Sequence, residues 1–252
     1  MTARYDRTGP AATITLDRDA KRNAFDTHLA NAVRDGILRA EAEGARAVVL
    51  RANASAKIWS AGHDLSEMAT HGVEDHDEEP YFRMVMTIRD TPLPVIAAIH
   101  APVLAGGMLV AMVADITVAT PAATATMTAN RMGVPFRASF YAAMIAVMGL
   151  KKAKELMLLA APLSPEECLN CGLYNHVVAP EALDATVASM VERIATLVPE
   201  GLAHSKHSLN AIGWAPGLPE HRLARMADEH AAILASPGLT GRVAALLASL
   251  KR

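Results

Sequence analysis

Ile58-Trp59-Ser60-Ala61-Gly62-His63-Asp64-Leu65 and, further along, Leu104-Ala105-Gly106-Gly107-Met108-Leu109 are the stretches on which the reading of this chain turns. Each sets glycine among small residues just ahead of a polar loop or a helix start. Glycine reaches backbone dihedrals closed to other residues and lets other backbone come close. Each turn therefore frees a backbone N–H, and the helix opening at Gly107 adds partial positive charge at its N-terminus. Two such N–H groups aimed at one point stabilise an oxyanion. Asp64 is placed to cap or hold the first turn. A Gly-Gly pair before a helix is also common packing, so either stretch alone says little. Their order and spacing, together with Met127-Thr128-Ala129-Asn130-Arg131-Met132-Gly133-Val134-Pro135-Phe136, carries the signal.

Outward from these stretches the chain alternates. Residues 5–16 read as a hairpin with Gly9-Pro10 in the turn. Asp26 is placed to cap a long amphipathic helix through Leu29, Val33, Ile37 and Leu38, ending near Gly44. The apolar runs 47–50, 95–99 and 116–119 read as buried strands. Helical segments at 80–91 and 107–114 separate them. This pattern predicts an α/β fold of stacked β-β-α units with largely parallel strands covered on both faces. From Ser139 onward the chain reads as helical, over 140–160, 164–171, 180–197, 219–236 and 238–250. A division into a core domain, 1–198, and a C-terminal helical lid and oligomerisation region, 199–252, follows. The acidic tract Glu74-Asp75-His76-Asp77-Glu78-Glu79 reads as a solvated loop.

Composition excludes several classes. The chain has 252 residues, half of them hydrophobic, so a large core can form. It carries 24 basic against 26 acidic residues, which argues against nucleic-acid binding. The start lacks the apolar region of a signal peptide, and no stretch is long enough for a membrane span. Cys168 and Cys171 form no disulfide framework and lack a second pair at metal-ligand spacing. A cytoplasmic protein without a metal site is expected.

The motifs together identify a resemblance. Ser60 to Leu65 resembles the "S/A-A-G-x-D-L" loop of the crotonase (enoyl-CoA hydratase/isomerase) superfamily. Ala105-Gly106-Gly107-Met108-Leu109 is similar to its "G-G-G-x-x" helix start, and Lys21-Arg22-Asn23-Ala24-Phe25 to its "K-R-N-A-L" turn. The later Ala153-Lys154-Glu155-Leu156 and Gly172-Leu173-Tyr174-Asn175-His176-Val177-Val178 resemble another of its blocks. The resemblance implies a crotonase-like spiral and an acyl-CoA thioester substrate, with coenzyme A part of the substrate and no other cofactor. It implies a homotrimer or a dimer of trimers, in which apolar Ile212, Leu223, Met226, Ile233 and Leu234 would face a neighbour. It makes the backbone N–H groups of His63 and Gly106 the oxyanion donors. It puts Arg22, Ala24, Lys57, Ala61, Gly62, Asp64 and Leu65 along the CoA path, and Lys206 at a CoA phosphate.

The chain departs from the family's hydratases at the reacting centre. Of their two glutamates, the first corresponds to Leu109, and the second falls in the segment holding Ala129, Asn130 and Arg131. No carboxylate occurs from Ala119 to Leu150, and leucine moves no proton. The loop and the Met127–Pro135 segment resemble instead the methylmalonyl-CoA decarboxylases, although Leu109 and Phe136 stand where those have Glu and Tyr. Decarboxylation needs no base. It needs an oxyanion hole and a dry wall against the carboxylate, which Leu109 and Phe136 would form, with Met132 a further substrate-binding candidate. The final proton would come from water or from His63. Two alternatives stay open. One is a hydratase, isomerase or thioester hydrolase using His63, His71, Glu67, Asp64, Tyr81 or Arg83. The other is a silent CoA-binding paralogue. Ser139 and Tyr141 are candidate lining groups. His100 reads as a structural histidine, and Arg131 and Arg137 as flanking cations.

Overall fold

The hairpin forms as β1 (Ala3–Thr8) and β2 (Ala11–Leu16), antiparallel, with Gly9 at φ +54° in the turn, in a computed structural model that describes residues 2–67, 79–215 and 217–250. Every later strand of the main sheet pairs in parallel. β3 (Ala47–Ala52) and β4 (Val95–Ile99) come first, and β5 (Val103–Leu104) leaves for a second sheet. β6 (Ile116–Ala119) rejoins, β7 (Ala125–Thr126) pairs with β5, and β8 (His176–Val177) closes the edge. The six-stranded order is β1-β2-β3-β4-β6-β8. Single bridges extend the small sheet: Ser60 to Val103, Phe25 to His63 and Ala125 to Leu163. Both glycine turns therefore sit side by side on that sheet.

Helices cover both faces of the main sheet, which is why its central strands β3 and β4 are apolar without alternation. On one face α1 (Thr27–Ala42) buries Leu29, Val33 and Ile37, and the Asp26 carboxylate caps it by accepting from the Leu29 N–H at 2.8 Å. Such a cap stabilises by about 1 kcal/mol. Beside it, α2 (Pro80–Asp90) buries Tyr81, Met84, Val85 and Ile88. All eight residues of α3 (Gly106–Val113) are buried. The short α4 (Ala129–Met132) leads to α5 (Ala138–Leu159), expected as one helix but broken at Gly149, where φ is +72°. A Ser164–Glu167 capping box starts α6 (Pro165–Asn170). On the other face α7 (Leu183–Ala195) packs Val187, Val191 and Ile194 against Val49, Ile96 and Val118.

Beyond the expected segments the chain adds α8 (Pro199–Gly213), followed by α9 (Glu220–Leu234) and α10 (Pro237–Leu250). Neither α8 nor α9 has a fully buried residue. Polar anchors hold α8 instead. Asn210 donates to the Arg89 carbonyl at 2.9 Å. Lys206 corrects an expectation: the resemblance puts it at a CoA phosphate, but its ammonium is buried in the fold. It donates to Asp115 at 2.6 Å, the Leu93 carbonyl at 2.9 Å and the Ile88 carbonyl at 3.1 Å. Three donors meet three acceptors, so none remains for a phosphate. Burial pushes the lysine down and Asp115 up, each opposed by the attraction of its partner. Among the described residues no helix is long and apolar enough to cross a membrane.

Breaking that pair leaves a buried charge alone, so Lys206→Met is expected to lower the unfolding free energy by about 3–5 kcal/mol. Urea denaturation measures it. Lys206→Met/Asp115→Asn should recover part of the loss, and a single variant as stable as the parent would show that the pair holds nothing.

Candidate functional site

The site begins with two backbone turns pressed together. Gly62 sits at φ +86°, and a Cβ there would lie 3.0 Å from both the Gly106 Cα and the Leu104 carbonyl, and closer still to the Gly106 nitrogen. A Cβ on Gly107 would stand 2.9 Å from the Ser60 Cβ and 2.5 Å from its carbonyl oxygen. Backbone hydrogen bonds tie the two turns to their surroundings. Phe25 N–H donates to the Gly62 carbonyl (2.7 Å), and Asp64 N–H to the Phe25 carbonyl (2.9 Å). Leu104 N–H donates to the Ser60 carbonyl (2.9 Å), and Ala105 N–H to the Thr126 carbonyl (2.8 Å). Ser60 Oγ donates to the Asn23 carbonyl and accepts from the Gly62 N–H. Among the described residues, the N–H groups of His63 and Gly106 donate to nothing. A Cβ on Gly106 would lie 3.1 Å from the His63 nitrogen, so the two donors are neighbours. Such a pair, at the N-terminus of α3, can stabilise negative charge on one oxygen. Ala105 adopts φ +47° and ψ −119° to turn the chain into that helix, a strained conformation for alanine of about 1–3 kcal/mol.

An ion network holds the first turn. Arg18, which nothing in the sequence singled out, reaches Asp64 at 2.7 Å, Asp26 at 2.9 Å and the Ala24 carbonyl at 3.0 Å. The other Asp64 oxygen accepts from the Ser66 N–H at 2.9 Å and from the Ser66 hydroxyl. Burial works to raise the Asp64 pKa. The Ser66 and Arg18 bonds outweigh it and hold the carboxyl below its ordinary value.

A cavity of about 130 Å³ is lined by His63 and Gly106, the residues that carry the two N–H groups. Its far wall is apolar: Met132, Val134, Pro135 and Phe136, closed by Leu234 of α9 and Leu246 of α10. Phe82 and Ala129 continue it, and Thr128 and His230 are the polar additions. At its mouth the His63 imidazole stacks on the Tyr81 ring, with centroids 5.2 Å apart and planes at 12°. Its Nε2 lies 3.4 Å from Glu79, whose side chain is only 10% exposed. The Glu79 carboxylate also accepts from the N–H groups of Tyr81 and Phe82 at the start of α2. Burial pushes Glu79 up. The His63 bond and charge, with the two backbone donors, pull it further down, below the usual carboxylate range. Tyr81 donates its hydroxyl to the Gly106 carbonyl at 2.8 Å.

Glu79 is a correction, because the acidic tract was read as solvated throughout. Its last member turns inward as a helix cap. The signal was present in Glu79-Pro80, an acidic residue directly before proline at a helix start.

A second cavity, of about 320 Å³, shares Ala61, His63 and Leu65 with the first and runs past Asp64, Ala24, Arg22 and Lys21. Ala61, Gly62, Asp64, Leu65, Arg22, Ala24, Met132 and Phe136 are thus brought to one connected region with His63 and Gly106. Lys57 and Leu109 are not. Lys57 is exposed and lines neither cavity. Leu109 is 1% exposed inside the core, because α3 is buried all round, so it forms no part of the cavity wall. Glu67 accepts from the Thr27 N–H and hydroxyl at the start of α1, and His71 lies outside the described residues. His100 faces the Ala56 carbonyl at 3.1 Å, and Arg131 donates to the Ala160 carbonyl at 2.7 Å. Arg137 covers the Phe82 ring at 4.8 Å, and the Tyr141 hydroxyl accepts from the Phe136 N–H at 3.4 Å.

Gly62→Ala combines a positive φ with a backbone collision and should cost about 3 kcal/mol or more; chemical denaturation measures it, and unchanged stability would refute the close approach. A second expectation concerns pH. Asp64 has a depressed folded pKa, so its stabilisation is present above the ordinary carboxylate range and is lost as pH falls through the folded value. The thermal midpoint should drop on acidification below about pH 4, and Asp64→Asn should weaken that dependence.

With the geometry described, three comparisons bear on it. The family described as enoyl-CoA hydratase/isomerase matches residues 7–226. Methylmalonyl-CoA decarboxylase of Escherichia coli (strain K12) is 27% identical over 203 residues, 80% of this chain and 78% of that protein. A probable enoyl-CoA hydratase of Mycobacterium tuberculosis (strain CDC 1551 / Oshkosh) is 28% identical over 201 residues, covering 80% and 79%. The structure of a methylmalonyl-CoA decarboxylase in complex with 2-nitronate-propionyl-CoA superposes with a TM-score of 0.93 at 24% identity, over 99% of this chain and 96% of that one. At that identity the likeness shows a common fold.

Proposed function

The chain belongs to the enoyl-CoA hydratase/isomerase family, and on that premise we propose that it decarboxylates a malonyl- or methylmalonyl-type CoA thioester. The observation that carries this reading is the join between two unengaged N–H groups and a cavity wall that, among the described residues, contains no carboxylate. The thioester oxygen is bound by the N–H groups of His63 and Gly106. The bond to the carboxylate breaks, carbon dioxide leaves, and its electron pair enters the thioester as an enolate that the two donors stabilise. Against Met132, Val134 and Phe136 a carboxylate is poorly solvated while neutral carbon dioxide is at ease. Hydration fits less well, since it needs carboxylates that the positions of Leu109 and of Ala129, Asn130 and Arg131 do not supply.

The second cavity is read as the path of the CoA chain, with Lys21 and Arg22 exposed toward its phosphates. CoA is part of the substrate, and the reaction calls for no metal or redox group. Leu158, Leu159, Leu209 and Ile212, all more than two-thirds exposed, support the homotrimer or dimer of trimers that the resemblance implies.

Purified protein offered methylmalonyl-CoA, malonyl-CoA, ethylmalonyl-CoA and crotonyl-CoA separately, with products read by mass spectrometry, tests the reading. Loss of carbon dioxide from a malonyl-type thioester is expected. Hydration of crotonyl-CoA without decarboxylation would replace this reading with the hydratase one.

A further inference from the structure

We propose that His63 and Glu79 form the proton-transfer pair of this site: the imidazole exchanges a proton with the α-carbon of the bound thioester enolate, and Glu79 orients the ring and balances its charge. The inference rests on the thioester reading above and adds the group that finishes the reaction.

Three observations place the pair. His63 carries one of the two N–H groups assigned to the thioester oxygen, and it lines the acyl cavity together with Tyr81, on which its ring stacks. The α-carbon is one bond from the thioester carbonyl carbon, so it lies within a residue's reach of that ring. The ring is also held on two sides, by Glu79 at Nε2 and by the stacked face of Tyr81. Glu79 is in turn fixed by the Tyr81 and Phe82 N–H groups, and Tyr81 by its bond to the Gly106 carbonyl. One chain of contacts therefore connects the ring to the carbonyl of Gly106, the residue that carries the second N–H. With Nε2 turned to the carboxylate, Nδ1 is the nitrogen left for substrate. The arrangement has the logic of a nucleophile–base–acid triad in which a buried carboxylate fixes the tautomer of a working histidine.

Other proton carriers fit less well. The Tyr81 hydroxyl is engaged with a backbone carbonyl, and burial drives its pKa well up. Asp64, Lys21 and Arg22 face the second cavity rather than the acyl one. His230, from α9, also lines the acyl cavity and is the competitor to exclude. In the forward step the enolate α-carbon takes the Nδ1 proton of the imidazolium. A C–H bond forms, an N–H bond breaks, and neutral imidazole keeps its Nε2 proton on Glu79. In reverse, neutral imidazole removes an α-proton from a saturated thioester and the two N–H groups hold the enolate.

The reverse direction supplies a test that needs no carboxylate on the substrate. Propionyl-CoA is incubated with the protein in deuterium oxide, and α-deuteration is followed by NMR. One of the two α-protons should exchange, because the ring addresses one face. His63→Gln keeps the backbone N–H and should lower the exchange rate by about 100-fold or more. Glu79→Gln retains an oxygen to cap α2. It should lower the exchange kcat more than about tenfold while KM stays within about twofold, a split that mere loosening of the fold would not produce. Thermal melts confirm that both variants fold. Exchange by His63→Gln within about threefold of the parent, or its loss in His230→Gln alone, would overturn the assignment. Decarboxylation without any α-exchange would remove the pair and leave the proposed function standing. Exchange without decarboxylation would do the opposite.

Discussion

The backbone of residues 60–63 and that of residues 105–107 lie too close for any side chain between them, and much of the molecule is organised to keep them so. Gly62 and Gly107 each face the opposing turn across a gap that a single methyl group would close. The bridges from Ser60 to Val103 and from Phe25 to His63 carry that contact into the small sheet. The same approach leaves two N–H groups adjacent and, among the described residues, without acceptors, an arrangement made by backbone packing rather than by a side chain. Strained Ala105 is the local cost of turning the chain into α3 at that point.

Paired charges lock the pieces around this contact. Arg18 ties the cap of α1 to the first turn through Asp26 and Asp64. Glu79 ties the start of α2 to His63, and Lys206 ties α8 to the carbonyl ends of α2 and to Asp115. Arg18, Asp26, Asp64, Glu79, Lys206 and Asp115 are largely buried and each has a polar partner, the condition under which a buried charge is tolerated. The acyl wall, in contrast, is apolar and assembled from four separate elements, the last two of them α9 and α10.

Local features were readable in the sequence because their causes are local. Gly9 in the hairpin turn, Asp26 before α1 and the unbroken apolar runs of β3 and β4 each act within a few residues. Glycines 62, 106 and 107 were readable because a glycine required by close approach leaves a mark in sequence. Lys206 and Leu109 were misplaced for the opposite reason. Their roles depend on what lies across from them: three oxygens from distant segments for one, a fully buried helix for the other. Glu79 was hidden by its acidic neighbours, since a charge run gives no sign of which member turns inward.

By itself, then, the sequence determined the β-β-α order, the parallel sheet covered on both faces, the two glycine turns and the lack of a carboxylate at Leu109 and across Ala129, Asn130 and Arg131. Periodicity, glycine and the absence of a proton carrier are properties of residues taken in order. Only the tertiary structure decided that the N–H groups of His63 and Gly106 are neighbours, that Arg18 holds the turn, that Glu79 meets the imidazole and that Leu234 and Leu246 close the cavity. Those are distances between groups far apart along the chain, and the packing that sets them belongs to the whole molecule.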